Sequence, residues 1–132
     1  MATLFTKIIN REIPGRFVYE DELCVAFLTI EPLSPGHTLV VPRAEIDHWL
    51  DLDDATLGHL TSVARRIGRA IETVYQPAKV GLMIAGLEVA HVHIHVTQVN
   101  SVHDLDFAGA DRSPDPKELD EAMELLSAAL ER

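Results

Sequence analysis

The chain has 132 residues, of which 21 are acidic and 11 are basic, so its formal net charge is −10. An acidic surface repels phosphate backbones and anionic headgroups, which argues against general binding to nucleic acid or membranes. The single cysteine excludes an internal disulfide framework and a cysteine-rich zinc site. No apolar run approaches the roughly 20 residues that cross a bilayer, and no signal-peptide pattern opens the chain. We therefore predict one cytoplasmic domain over residues 1–132.

The first part of the chain predicts one helix and three strands. Residues 4–13 have apolar side chains at helical spacing, and Pro14 with Gly15 is predicted to end that helix. Residues 17–30 contain two apolar runs around an acidic turn, which predicts a β-hairpin. After a loop rich in proline and glycine, residues 37–41 predict the next strand.

Two helices are predicted in the second part. Residues 53–75 carry an apolar stripe at helical spacing, with Asp53 or Asp54 as the capping residue and Pro77 as the stop. Residues 117–130 carry a similar stripe and predict a helix that closes the chain.

Two short strands lie between these helices, at residues 79–85 and 89–99, with only the turn 86–88 between them. Short connections join antiparallel neighbours. The order helix, hairpin, strand, helix, hairpin, helix therefore predicts an α+β fold, in which an antiparallel sheet packs against helices.

The most informative segment is His-Val-His-Ile-His-Val-Thr at residues 91–97. Alternate side chains of a strand take opposite faces, so His91, His93 and His95 are predicted to form a row on one face. The aliphatic side chains between them are predicted to face the helices. Three imidazoles in register are unusual for a purely structural strand, because histidine has only a modest β preference.

Three interpretations of this row remain open. The histidines can be purely structural, partly buried side chains. Two of them could chelate a metal ion, but the ends of the row are about 13.5 Å apart, so one zinc could bind all three only with strong distortion. The pattern favours the third interpretation, nucleophilic and acid–base chemistry. A neutral imidazole can attack phosphorus, and neighbouring imidazoles resist being protonated together.

This segment resembles the motif of the histidine triad (HIT) family, His-φ-His-φ-His-φ-φ with φ apolar, and departs from it only at Thr97. The resemblance runs from about Leu4 to Asn100 and includes Ile-Glu-Pro-Leu-Ser-Pro-Gly-His-Thr-Leu-Val-Val-Pro at residues 30–42. It implies a HIT-like five-stranded antiparallel sheet with a long helix and a C-terminal helix. The motif-bearing core would span about residues 4–100, followed by an acidic C-terminal extension at about 101–132.

The resemblance implies a catalytic role for four histidines. His93 would attack the α-phosphorus of a nucleotide and form a nucleotidyl-histidine intermediate. His91 would orient His93, and His95 would contact phosphate oxygens or assist proton transfer to the leaving group. His37 lies where the family carries a further histidine that supports the triad.

The resemblance also implies an apolar cleft for a purine base. The matching positions are Phe5, Ile8, Ile13, Phe27 and Ile30. The family's chemistry requires no metal or other cofactor. Its members generally form homodimers through the long helix and an edge strand, so a homodimer is the expected partner state.

The implied activity is hydrolysis of a nucleoside phosphoramidate or a dinucleoside polyphosphate, with release of a nucleoside monophosphate. One alternative is transfer of the nucleotidyl group to phosphate or another acceptor. A second alternative is a nucleotide-binding module with little turnover, and a third is a protein that binds metal through two of the histidines.

Two substrate-binding positions depart from the family pattern. Thr29 stands where many relatives carry an aspartate for the ribose hydroxyls, and one hydroxyl oxygen accepts fewer hydrogen bonds than a carboxylate. Glu88 stands in a short segment, residues 83–90, that lacks the family's asparagine- and glycine-rich loop. We expect Glu88 to raise the pKa of an imidazole or to mark a different substrate.

The remaining candidate side chains are predicted to have no chemical role. Cys24 is expected to be a small core residue, because no partner motif accompanies it. The other histidines, His48, His59 and His103, are expected to be exposed.

Overall fold

The protein consists of a single antiparallel sheet and three α-helices over residues 2–131, the part of the chain that the computed structural model describes. The strands are β1 (Phe17–Glu20), β2 (Cys24–Leu28), β3 (Thr38–Pro42), β4 (Lys79–Met83) and β5 (Ile94–Val99). The helices are α1 (Leu4–Ile9), α2 (Asp54–Tyr75) and α3 (Pro116–Leu130). The strand order is β1-β2-β3-β5-β4 with every pair antiparallel, so the predicted α+β fold is confirmed. None of the described helices is long and apolar enough to cross a bilayer.

Alternating side chains give the sheet two different faces. On one face, Cys24, Ala26 and Val40 are fully buried in the core that α2 and α3 cover with Ile67 and Leu126. On the other face, a second apolar cluster packs beneath α1. Its members are Phe5, Ile8, Val25, Phe27, Leu39 and Val41. Strands β2 and β3 are therefore buried on both faces, and Phe5 and Ile8 of α1 contribute to the cover of the second face.

Helix α2 begins and ends where the sequence indicates. The carboxylate of Asp53 accepts a hydrogen bond from the backbone N–H of Thr56 at 2.7 Å, which caps the first turn. Gln76 follows the last turn with a left-handed φ of 51°, and Pro77 cannot continue the helix. The predicted apolar stripe is buried against the sheet.

The first helix is shorter than the predicted 4–13. Helix α1 ends at Ile9 because Asn10 caps it and Arg11 takes a left-handed φ of 65°. The chain then turns so that Ile13 faces the same cavity as Phe5 without belonging to the helix. The prediction of one continuous helix was wrong, because the spacing of apolar residues does not show where the backbone takes a left-handed conformation, as it does at Arg11.

The prediction that one strand spans residues 89–99 was wrong in its first half. Strand β5 begins at Ile94, and residues 84–93 form an irregular connection after β4. The backbone N–H of His91 bonds to the carbonyl of Val89, and that of Val92 bonds to Ile46, each at 2.8 Å, so neither joins the ladder. The imidazoles nevertheless remain neighbours, because the ring centroids of His93 and His95 lie 4.9 Å apart.

Asp21, in the turn between β1 and β2, joins the hairpin to α2. Its carboxylate accepts from the backbone N–H groups of Leu23 and Cys24 at 2.8 Å, from the hydroxyl of Tyr19 at 2.7 Å and from His59 Nε2 at 2.6 Å. His59 is therefore half-buried and paired, and the prediction that it is exposed without a role was wrong. Its partner lies 38 positions away in the sequence, so local pattern could not reveal the pair.

Removing the charge of Asp21 should destabilise the fold in a pH-dependent way. Burial raises the pKa of Asp21, but hydrogen bonds from Tyr19, the two backbone amides and His59 outweigh burial and hold the pKa well below its usual range. The unfolded carboxyl takes up a proton near pH 4, so this stabilisation is present at neutral pH and is lost as the pH falls below about 4. We expect Asp21→Asn to lower the free energy of unfolding by about 2 kcal/mol at pH 7.

Urea unfolding of both proteins at pH 7 and at pH 3 measures this effect. The difference between wild type and Asp21→Asn should shrink at the lower pH. A difference that is equal at the two pH values would contradict the assignment.

Candidate active site

A cavity of about 250 Å³ lies on the second face of the sheet, beside α1. Its wall combines apolar side chains with three imidazoles and a few charged groups at the rim. The apolar lining includes Leu4, Phe5, Ile8, Ile13, Phe27, Ile30, Leu39 and Val89. The polar lining includes Arg16, Thr29, Glu31, His37, Glu88, His93, His95 and Arg112.

The five residues predicted to form an apolar base cleft all line this cavity. Phe5, Ile8 and Phe27 are buried and form its floor, whereas Ile13 is half-buried. Ile30 is 68% exposed and lies at the rim, so its burial depends on an occupant of the cavity. The cavity therefore has a preformed apolar floor and one apolar side chain free to cover a ligand.

His37 and His95 form a hydrogen-bonded pair whose proton positions follow from the backbone. The backbone N–H of Leu33 donates to His37 Nδ1 at 3.0 Å, so Nδ1 carries a lone pair and Nε2 carries the proton. His37 Nε2 then donates to His95 Nδ1 at 2.9 Å. The proton of the neutral His95 ring is therefore on Nε2.

His91 and His93 have the complementary arrangement. His93 Nδ1 donates to the carbonyl oxygen of His91 at 2.8 Å, so the proton is on Nδ1 and Nε2 carries the lone pair. His91 itself is fully buried, and its Nε2 donates to the carbonyl oxygen of Pro42 at 2.7 Å. His91 lies behind the cavity wall rather than in it.

The free Nε2 atoms of His93 and His95 present opposite polarities to the same cavity. Neither atom has a hydrogen-bond partner among the described residues. Every fully buried side-chain nitrogen or oxygen in that part of the chain does have a partner, so these two atoms are not fully buried and are accessible from the cavity. His93 presents a lone pair, and His95 presents an N–H. A lone pair and a hydrogen-bond donor thus stand side by side, on rings whose centroids are 4.9 Å apart.

Burial keeps these imidazoles neutral. Burial lowers the pKa of His95 to about 3, assisted by repulsion from His37 and His93. Burial likewise lowers the pKa of His37 to about 4, assisted by repulsion from His93. The pKa of His93 is also below its ordinary value because burial outweighs the hydrogen bond to His91. A neutral His93 keeps the lone pair that a nucleophile needs.

Two aromatic rings pack against the imidazoles, one edge-on and one tilted. Phe5 packs against His93 with ring centroids 4.8 Å apart and an interplanar angle of 82°. Phe107, from the acidic C-terminal section, lies 4.9 Å from His95. Together these rings restrict the imidazoles from both ends of the row.

The C-terminal section supplies part of the cavity wall, which the sequence did not indicate. Phe107, Ala110 and Arg112 line the cavity, and Arg112 forms an ion pair with Glu31 across the rim. The backbone N–H of Asp111 donates to the carbonyl of Pro32 at 2.9 Å and holds this segment in place. The sequence gives one signal for this contact: the Asp-rich loop also contains a phenylalanine and an arginine.

Thr29 and Glu88, the positions that depart from the family pattern, both line the cavity. Thr29 Oγ1 accepts from the backbone N–H of Glu31 at 3.2 Å, which leaves its O–H free to donate to a ligand. Glu88 is exposed, and its charge raises the pKa of His93 as we expected, although the larger effect of burial leaves the net pKa lowered.

One group of described residues brings three potential metal ligands within 4.8 Å of one another: Asp21, Cys24 and His59. His59 Nε2 and Asp21 Oδ2 are only 2.6 Å apart, whereas two ligands of a tetrahedral zinc lie roughly 3.3 Å apart. Burial also raises the pKa of the Cys24 thiol to about 12, which disfavours the thiolate form that binds metal. The contact is therefore a hydrogen bond between two partly exposed side chains, His59 and Asp21.

The five-stranded sheet and the imidazole row beside one cavity define the histidine triad class of α+β proteins. The HIT domain model matches residues 10–104, and the chain belongs to the HIT family. An uncharacterized HIT-like protein of Borreliella burgdorferi is 40% identical over 100 residues, which cover 70% of this chain and 72% of that protein.

Two solved structures extend the similarity to most of the chain. A zinc-bound histidine triad family protein from Mycobacterium smegmatis has a TM-score of 0.85 and 30% identity, over 99% of this chain and 94% of that chain. A hypothetical histidine triad nucleotide-binding protein from Sulfolobus tokodaii has a TM-score of 0.83 and 27% identity, over 96% of this chain and 91% of that chain. The described C-terminal section therefore belongs to an architecture that other family members share.

The rings of His37 and His95 should stay neutral across the physiological pH range. With pKa values of about 4 and 3, neither ring should titrate between pH 8 and pH 5.5 in two-dimensional NMR of the ring Cε1–H groups. The unfolded rings take up protons near pH 6.5, so the stability that these neutral rings provide is lost as the pH falls from about 6.5 towards 4.

The ring signals are assigned from the signal that disappears in His37→Asn and in His95→Asn. The urea-unfolded protein provides the reference titration. A midpoint above pH 6 for either ring in the folded protein would contradict the hydrogen-bond assignment.

Proposed function

We propose that this protein is a nucleotide hydrolase that acts at the α-phosphorus of a purine nucleotide derivative and releases the nucleoside monophosphate. The observation that carries the proposal is the pair of accessible Nε2 atoms, a lone pair on His93 beside an N–H on His95. An apolar floor next to them suits a base, and His37 holds the donor tautomer of His95.

In the first step, the lone pair of His93 Nε2 attacks the α-phosphorus. The Nε2–phosphorus bond forms as the bond from phosphorus to the leaving group breaks. The ring becomes cationic because Nδ1 keeps its proton, and the carbonyl oxygen of His91 stabilises that charge. His95 Nε2–H donates to a phosphate oxygen or to the leaving atom. A leaving amine departs with a proton from solvent, whereas a leaving phosphate departs as the anion.

In the second step, water attacks the same phosphorus and releases the enzyme. The Nε2–phosphorus bond breaks, the electron pair returns to His93, and one proton of the water passes to solvent. The products are the nucleoside monophosphate and neutral His93. Both steps take place at the Nε2 atom of His93, so one cavity serves both.

The apolar lining of the cavity supports the proposed substrate class. Phe5, Ile8 and Phe27 provide an apolar floor for a purine base, and Ile30 can cover it from the rim. The Sulfolobus tokodaii relative is described as nucleotide-binding, which supports a nucleotide ligand here. We propose nucleoside phosphoramidates or dinucleoside polyphosphates as substrates, and we keep a homodimer and a cytoplasmic location as parts of the proposal.

Two alternatives use the same site. Transfer of the nucleotidyl group to phosphate would differ only in the second acceptor. A binding module with little turnover is favoured by one observation: Thr29 offers a single hydroxyl where a carboxylate would hold both ribose hydroxyls.

Replacing the nucleophile should abolish turnover. We expect His93→Ala to release AMP from adenosine 5′-phosphoramidate roughly 10³-fold more slowly than wild type, or slower still, because no other group forms the covalent intermediate. AMP release is measured with and without a chelator, and the chelator should have no effect on the wild type.

The matched control is His103→Ala, which removes an exposed imidazole that does not line the cavity. Acid-sensitive adducts trapped during turnover should carry the nucleotide on His93 by mass spectrometry. Wild-type protein that binds AMP but turns over neither the phosphoramidate nor diadenosine tetraphosphate would contradict the hydrolase proposal and favour the binding module.

Because it carries Thr29, the enzyme should discriminate only weakly between ribose and 2′-deoxyribose. We expect Thr29→Asp to raise the preference for adenosine over 2′-deoxyadenosine 5′-phosphoramidate about tenfold, because a charged acceptor bonds the 2′-hydroxyl more strongly. The measurement is the ratio of kcat/KM for the two substrates. Thr29→Val is the control without a hydroxyl, and an equal ratio in all three proteins would contradict a ribose contact at this position.

A further inference from the structure

A cluster of hydroxyl and carboxylate groups lies behind His91, outside the cavity. Thr3 Oγ1 is 2.8 Å from His91 Nδ1. Glu45 Oε1 accepts from the backbone N–H of Thr3 at 2.7 Å and from the hydroxyl of Thr6 at 2.8 Å. None of Thr3, Thr6 and Glu45 lines the cavity, so the cluster can act on the site only indirectly, through His91 or through helix α1, which Thr3 caps.

The direction of the bond between Thr3 and His91 is fixed from the far side of the ring. His91 Nε2 donates to the carbonyl oxygen of Pro42, so Nδ1 carries the lone pair and the Thr3 hydroxyl donates to it. The same Thr3 oxygen accepts from the backbone N–H of Thr6 at 3.1 Å, as the cap of α1. Thr3 thus uses its hydroxyl in both directions.

The backbone around His91 lies outside the regular strand ladder and is held by a few individual hydrogen bonds. His91 lies in the irregular segment 84–93, and its backbone N–H bonds only to Val89, two residues away. Two contacts therefore orient the His91 carbonyl, which accepts the Nδ1 proton of His93. One is the hydrogen bond from the Val92 N–H, in the same peptide plane, to the carbonyl of Ile46 at 2.8 Å, and the other is the anchoring of the His91 ring.

We propose that Thr3, held by Glu45, is a positioning residue for the nucleophile. Together with the carbonyl of Pro42, it fixes the ring of His91. The ring in turn helps to hold the carbonyl oxygen that keeps the proton of His93 on Nδ1 and the lone pair on Nε2. The inference rests on the proposed function in one respect, since it takes His93 as the nucleophile. The competing explanation is that Thr3 only docks α1, whose Phe5 and Ile8 form the floor of the cavity.

Steady-state kinetics separates these two roles. We expect Thr3→Val to lower kcat about tenfold with KM within about twofold of wild type, because a misplaced nucleophile slows chemistry without changing the apolar floor. Thr3→Ser keeps the hydroxyl and should restore kcat to within about twofold. Thr73→Val is the matched control, because the Thr73 hydroxyl bonds only to the carbonyl of Arg69 on the exposed side of α2.

A spectroscopic measurement tests the same link without a substrate. In protein labelled with ¹⁵N-histidine, hydrogen exchange of the His93 Nδ1–H should be about tenfold faster in Thr3→Val and in Glu45→Ala than in wild type, because its acceptor is less well held. Glu45→Gln retains an acceptor oxygen and should stay close to wild type. Glu45→Ala also serves if Thr3→Val fails to fold.

The outcomes distinguish this inference from the proposed function. Wild-type protein without turnover, together with faster exchange in the two variants, would refute the hydrolase and support the positioning role. A rise in KM alone, or a lower melting temperature with unchanged kcat and unchanged exchange, would refute the positioning role and leave the hydrolase intact.

Discussion

The hydrogen bond from His93 Nδ1 to the carbonyl oxygen of His91 is the contact on which the site depends. It determines which nitrogen of His93 carries the lone pair, and that nitrogen faces the cavity. A parallel chain runs from the backbone of Leu33 through His37 to His95 and gives the neighbouring ring the opposite polarity. Burial completes the arrangement by keeping the rings neutral, so the two polarities persist at neutral pH.

Much of the fold could be predicted because the sheet is buried on two faces of different composition. The continuous, largely apolar runs of β2 and β3 and the apolar stripe of α2 follow directly from that burial. The prediction was wrong where backbone groups bond outside regular elements, as at Arg11 and in residues 84–93. There the histidine pattern indicated a strand, but His91 and His93 are held by side-chain and loop contacts, which period-2 alternation does not describe.

The site was predictable only in part, because some of its residues are placed by contacts between distant parts of the chain. His37, His93, His95 and the apolar floor were found through the motif and the family resemblance, and they line one cavity. Phe107 and Arg112, like Thr3 and Glu45, act across large sequence separations and carry no motif of their own. Their partners are defined by the packing of the C-terminal section and of α1, which no local pattern reports.

The anchoring of His37 by the backbone of Leu33 has a consequence for how this protein tolerates variation. The donor is a peptide N–H, which every residue type except proline possesses. The side chain at position 33 can therefore change without moving the protons on the rings of His37 and His95. An alignment scored on side-chain identity would pass over this position, although an exchange to proline there would remove the donor that keeps the proton of His37 on Nε2, without changing any histidine.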